Sequence, residues 1–161
     1  MKGLLDRKRA IRKEVRRRLN SLDPDRKRRE SLRICRLIES VLPKSGPVLA
    51  FEPLSDEPDI SPIIERLRRE GRLILVAGDR SDPHLDPAGA VPALALVPGR
   101  AFDIKGHRIG RGGGTFDRIL ARLECPKIGV AFDEQIFLSL PTAAHDVPMD
   151  RILHPSVTYV L

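Results

Sequence analysis

A chain of 161 residues is long enough for one domain spanning 1–161 with a single core, and too short to require a second. With 41% apolar residues in alternating strand-like and helix-like runs, it is neither disordered nor fibrous. No apolar stretch approaches the roughly 18–20 residues of a membrane helix, and the first twenty residues lack the apolar centre of a secretory signal, so a cytoplasmic protein without a membrane partner is expected.

From Leu4 onward Ile11, Val15 and Leu19 recur at helical spacing among Arg and Lys, which predicts an amphipathic helix. Asp23 and Pro24 are a cap and first-turn pair for a second helix, whose apolar stripe of Leu32, Cys35, Ile38 and Val41 ends at Pro43. These first 42 residues hold 15 Lys and Arg against 6 Asp and Glu, more than the whole chain's excess of +7. A segment so basic suits phosphate of any kind, on a nucleotide, a phosphorylated ligand or RNA.

Val48–Phe51 reads as a buried strand, Ser61 and Pro62 open a helix that Gly71 closes, and residues 73–77 make the next strand. Strand, helix, strand implies a right-handed parallel crossover. Residues 78–92, rich in Pro, Asp and Gly, form a loop; 93–97 are a third strand, 116–123 a helix, 128–132 a fourth strand and 157–160 an edge strand. The predicted fold class is α/β: a single-domain, open, mostly parallel sheet flanked by helices, with two N-terminal helices. Cys35 and Cys125, far apart and without CxxC spacing, are expected to be reduced thiols.

Open parallel sheets bind ligands beyond the carboxyl ends of their strands. Three polar segments are therefore expected to converge: residues 52–59, 98–117, and 133 onward. The densest of them is Arg108-Ile109-Gly110-Arg111-Gly112-Gly113-Gly114-Thr115-Phe116-Asp117, with four glycines in five positions just before a predicted helix. Glycines let backbone N–H groups approach a phosphate, and the planar fork of Arg donates two parallel bonds to one. No Lys-Ser or Lys-Thr follows the last glycine, so this is not a Walker sequence.

The run VPGRAFDIKGHRIGRGGGTFDR, residues 97–118, resembles the signature of the 5-formyltetrahydrofolate cyclo-ligase family: a Pro-Gly turn, Ala-Phe-Asp, Lys-Gly, then Arg-Leu-Gly-x-Gly-x-Gly-Tyr-Tyr-Asp. KIGVAFDEQ and AHDVPMD further on, and Lys8-Arg9-Ala10-Ile11-Arg12 near the start, resemble its other segments in the same order. The resemblance implies a NagB/RpiA/CoA-transferase-like sheet and an ATP- and Mg²⁺-dependent enzyme that converts 5-formyltetrahydrofolate to 5,10-methenyltetrahydrofolate, releasing ADP and phosphate.

By position, the resemblance implies that Lys8, Arg12 and Arg108 contact the ATP phosphates, with Gly110, Arg111, Gly112, Gly113, Gly114 and Phe116 around the nucleotide. Asp117 and Asp146 match the family's Mg²⁺ carboxylates, and His145 would orient their loop. Arg111 is the catalytic candidate, and Glu57, Arg111 and Thr115 are the candidates for the reduced folate. His84, His107 and His154 suggest no ligand set. The chain departs from the family where Gly113 replaces a Lys, where Thr115-Phe116 replaces Tyr-Tyr, and where the stretch between Ala77 and Pro92 is short. A monomer is expected. Two other functions remain open at this stage: a diverged nucleotide-binding relative with another substrate or no turnover, and a basic RNA-binding module. Scarce aromatics, at 4% with no Trp, count against the RNA module.

Overall fold

Apolar residues at three- and four-residue spacing wind the basic N-terminal segment into α1 (Lys2–Asn20) and α2 (Pro24–Val41). Asp23 caps α2 as expected, its carboxylate accepting the Arg26 N–H at 2.9 Å. The core stripe of α2 is Ser31, Ile34, Cys35 and Ile38, whereas Leu32, expected inside, is 49% exposed. The face that packs into the core runs through Ile34, Cys35 and Ile38, each at most 6% exposed, and Leu32 falls outside it.

The computed structural model describes residues 1–77, 89–156 and 158–160. The loop expected over 78–92 therefore lies largely outside the described residues, as do His84 and Val157. Beyond α2 come β1 (Val48–Phe51), α3 (Ser61–Arg69), β2 (Leu73–Val76), β3 (Leu94–Val97), β4 (Ala101–Asp103) and β5 (Arg108–Ile109). They are followed by α4 (Thr115–Leu120), β6 (Lys127–Val130), a 3-10 turn (Asp133–Gln135), β7 (Ile136–Phe137), β8 (Arg151–Leu153) and β9 (Thr158–Val160).

Among the described residues, six strands form one sheet in the order β2-β1-β3-β6-β8-β9, parallel throughout except for β9 at the edge. Val48 of β1 stands opposite Leu73 on one side and Leu94 on the other. Every residue of β1 and β3 is buried, as a central parallel strand covered on both faces requires. The chain leaves β1 for β2 on one flank and returns to β3 on the other, so the winding direction reverses between β1 and β3. That reversal opens a crevice at the carboxyl ends of these two strands.

A small second sheet, β5-β4-β7, sits over this end of the first. Its hairpin is tied by Asp103, a fully buried residue whose carboxylate accepts the N–H groups of Lys105 (2.9 Å), His107 (3.0 Å) and Leu140 (2.8 Å). None of β4, β5, β7 and β8 was expected. At two or three residues each they are too short to show an alternating pattern. Among the described residues no helix is long and apolar enough to cross a membrane.

Candidate active site

The crevice between β1 and β3 holds a cavity of about 250 Å³. Glu57 comes to it from the loop after β1, Pro98 and Gly99 from the end of β3, and Arg108, Arg111, Thr115, Phe116 and Asp117 from the ribbon and the start of α4. Gly110, Gly113 and Gly114 also line it, whereas Gly112 turns toward Arg12. Gly112 has φ +112° and Gly114, the cap of α4, has φ +73°, conformations that L side chains rarely adopt. The turn therefore depends on glycine for its shape as well as for access to its N–H groups. A second cavity, about 390 Å³, lies between α2 and the loop after β1 and shares Glu57 with the first.

Arg108 is the buried cation of the site, 8% exposed. Its Nη1 donates to the Pro98 carbonyl at 3.0 Å and its Nη2 to Asp117 Oδ1 at 2.5 Å, while the guanidinium stands 5.9 Å from the centre of the Phe116 ring. Arg111 donates through Nε to Glu57 Oε1 at 3.1 Å and through Nη2 to Asp56. Asp56 also accepts from Nη1 of Arg100, a residue 6% exposed. Burial alone would raise the Asp56 pKa, but the bonds from Arg100 and Arg111 outweigh it and hold the carboxyl below its ordinary value.

From α1, Arg12 Nε donates to the Gly110 carbonyl at 2.8 Å, and Lys8 Nζ pairs with Asp146 Oδ2 at 2.7 Å. Burial pulls the Arg12 pKa down, Asp117 opposes that, and Arg100 and Arg9 add to it, so these groups share one electrostatic environment. Burial would raise Asp146, but the bonds from Lys8 and the Ala143 N–H prevail and lower it. Helix α1 is thus fastened to the glycine turn through Arg12 and to the C-terminal loop through Lys8. Neither of these cations, nor Asp146, lines the cavity itself. His145 is exposed, 3.9 Å from the Asp146 carboxylate.

The three polar segments converge only in part. Residues 52–59 and 98–117 meet as expected. The third touches the site through Gln135, whose side-chain amide donates to the Gly99 carbonyl at 2.7 Å. Asp133 turns away to His154 Nδ1 and Ser156 Oγ, each at 2.5 Å, and His107 is engaged by Asp103 at 3.0 Å. The sequence left Arg100 and Asp56 unremarked. Their only signal was adjacency, Asp56 to Glu57 and Arg100 to the Pro-Gly turn, and pairing across 44 positions is invisible without the fold. Cys35 and Cys125 are free thiols, and burial raises the pKa of both, that of Cys35 to about 11.

Among the described residues no three His, Cys, Asp or Glu side chains gather as a metal cluster. The donor set therefore does not make an all-protein cage. It does fit Mg²⁺ arriving on a nucleotide, since that ion needs only one or two carboxylates beside phosphate oxygens and water, and the Asp117 side chain is 58% exposed.

The fold and site define a class: an open α/β protein with a glycine turn and guanidinium groups gathered at the switch point of a parallel sheet, as in proteins that handle phosphorylated ligands. The family model for the 5-formyltetrahydrofolate cyclo-ligase family matches residues 80–155. The mouse 5-formyltetrahydrofolate cyclo-ligase is 24% identical, with 91% of this chain aligned to 93% of that protein. The Escherichia coli K12 enzyme of that name is 28% identical, over 68% of this chain and 78% of its own length. Among solved structures, the 5,10-methenyltetrahydrofolate synthetase of Aquifex aeolicus superposes with a TM-score of 0.79 at 28% identity, covering 96% of this chain and 92% of that one. That of Mycoplasma pneumoniae, at 24% identity and a TM-score of 0.72 over 90% and 96%, shares the fold. Over residues 80–155 the chain thus matches the 5-formyltetrahydrofolate cyclo-ligase family model, and over nearly its whole length it is similar to enzymes of that name.

Proposed function

We propose that this enzyme joins N10 to the formyl carbon of 5-formyltetrahydrofolate, forming 5,10-methenyltetrahydrofolate at the expense of ATP. The observation that carries this is the single cavity in which the glycine turn and Arg108 face Glu57 and Arg111. One wall offers backbone amides and guanidinium groups to phosphate. The other offers a buried carboxylate suited to the N–H groups of a pterin. The neighbouring cavity that shares Glu57 gives an elongated ligand room to continue.

In this reaction the formyl oxygen attacks the γ-phosphorus and ADP departs. N10 then attacks the activated carbon, phosphate leaves with the C–O electron pair, and N10 gives up its proton. The chain's task is positioning and charge neutralisation. Arg108, held in place by Pro98 and Asp117, presents a fixed positive charge beside the glycine turn. Arg111 spans the distance from that turn to the folate wall and is the group best sited to follow charge onto the transferring phosphoryl group. Lys8 and Arg12 act from α1, Arg12 by bracing the Gly110 carbonyl and Lys8 by holding Asp146. Asp117, whose side chain is 58% exposed at the cavity, would hold Mg²⁺, which would supply neutralisation of phosphate charge, while Asp146 stays paired with Lys8.

The test is the absorbance rise of methenyltetrahydrofolate when the protein is mixed with ATP, Mg²⁺ and 5-formyltetrahydrofolate. Product is expected with all three components, and omission of ATP or chelation of Mg²⁺ is expected to abolish it. A trace no different from heat-treated protein would end this assignment. ATP hydrolysis that no reduced folate stimulates would instead favour a diverged relative, in keeping with Gly113 and Thr115-Phe116 at positions where the family has Lys and Tyr-Tyr.

A further inference from the structure

Two adjacent carboxylates in the loop after β1 are both taken by arginines of the β4–β5 ribbon. Arg100 immediately precedes β4 and Arg111 lies two residues beyond β5, and Ala101 pairs with Ile109, so the two guanidinium groups leave the same end of the ribbon. Asp56 bridges them, Oδ2 accepting from Arg100 and Oδ1 from Arg111. Glu57 takes the Nε of Arg111 at 3.1 Å and keeps its other oxygen on the Leu54 N–H at 2.9 Å.

The four groups differ in freedom. Arg100 is pinned: its N–H donates to the Ile109 carbonyl at 2.7 Å, its carbonyl accepts from Gln135 at 3.3 Å, and its side chain is 7% exposed. Arg111 lines the cavity and its side chain is 28% exposed. A line of charge therefore runs from a rigid, buried cation through Asp56 to a cation that faces the ligand.

We propose that Asp56 and Arg100 are positioning residues: Arg100 fixes the Asp56 carboxylate, and Asp56 holds Arg111 over the cavity while Glu57 exchanges Arg111 for the reduced folate. This rests on the function proposed above. Glu57 Oε1 is occupied by Arg111, so a ligand N–H that binds there displaces a bond. Arg111 then retains Asp56. Without Asp56 the displaced guanidinium loses its second carboxylate as well, and ordering so long a side chain during catalysis costs rotamer entropy. The depressed pKa of Asp56 agrees, because it keeps the carboxylate ionised across the neutral range.

The experiment compares wild type with Asp56→Asn, Asp56→Glu and Arg100→Lys by steady-state kinetics and by phenylglyoxal labelling of Arg111 in ligand-free protein, read by peptide mass spectrometry. Asp56→Asn is expected to lower kcat about tenfold and raise KM for the reduced folate severalfold, with KM for ATP moving less than about twofold. Asp56→Glu or Arg100→Lys should recover part of the loss, which a merely structural defect would not do in this pattern. Arg111 should label several times faster once Asp56 is neutral. If Asp56→Asn fails to fold, the double variant Arg100→Met/Asp56→Asn, which removes both charges of the buried pair, takes its place in both measurements. An unchanged labelling rate overturns the proposal, and so does an unchanged kcat in an active wild-type background. Labelling requires no turnover, so a wild-type protein that makes no product would sink the proposed reaction while the holding role of Asp56 is still decided.

Discussion

Asp103 illustrates how a charged residue can serve architecture beside a site of charged residues. Its carboxylate is fully buried and answers three backbone N–H groups, so it closes the hairpin whose far end carries Arg108 and Arg111. Asp103→Ala strands those donors, at roughly 1–3 kcal/mol for each one left unsatisfied. The expected loss is at least about 3 kcal/mol in urea unfolding, with Asp103→Asn, which keeps one acceptor oxygen, costing clearly less. At Gly114 the demand is conformational. A side chain at φ +73° is strained by about 1–2 kcal/mol, so Gly114→Ala should distort the turn and, if the proposed nucleotide site is correct, weaken the calorimetric affinity for ATP while leaving most of the fold intact. The glycines were legible in the sequence as a cluster. Which of them require positive φ was not, since that depends on the path from β5 into α4.

The two sheets meet closely at Phe102. Phe102 of β4 is fully buried, and a methyl group added at Gly129 of β6 would stand 2.6 Å from its ring. Gly129→Ala is therefore expected to destabilise by overpacking, on the order of 1–3 kcal/mol, and to lower the thermal midpoint by several degrees. Its effect on activity should follow, because β4 carries the ribbon that aims Arg108 and Arg111. The long elements were foreseeable: α1, α2 and the strands around β1 and β3 have enough residues to display a period. Strands of two or three residues have none, and β8, which joins β6 to β9 in the main sheet, was missed for that reason.

For the molecule as a whole, three carboxylates tie separate parts of the chain together. Asp56 joins the first loop to the ribbon, Asp133 joins the 3-10 turn to the segment after β8, and Asp146 joins the C-terminal loop to α1. All three have pKa values below the ordinary 3.8, in each case because bonds to the ionised form outweigh the cost of burial. The unfolded chain thus binds more protons than the folded one in acid. Their contribution is fully present above the unfolded value and is lost as pH falls through the folded values. The thermal midpoint should stay level from neutrality down to about pH 5 and drop steeply below about pH 4, a profile differential scanning calorimetry can follow. Asp146→Asn should flatten part of that drop.

The fold class, the crossover topology near β1, the place of the glycine turn and the family resemblance carried by the motif order were all legible in the amino-acid sequence. Helical and strand periods, capping residues and glycine runs are local properties, written in neighbouring positions. Only the tertiary structure decided the reversal of winding between β1 and β3, the turning of Asp133 away from the site, and the partners of each charge. Pairs such as Arg100 with Asp56 or Lys8 with Asp146 lie 44 and 138 positions apart, and their attraction acts only after packing has brought them within bonding distance.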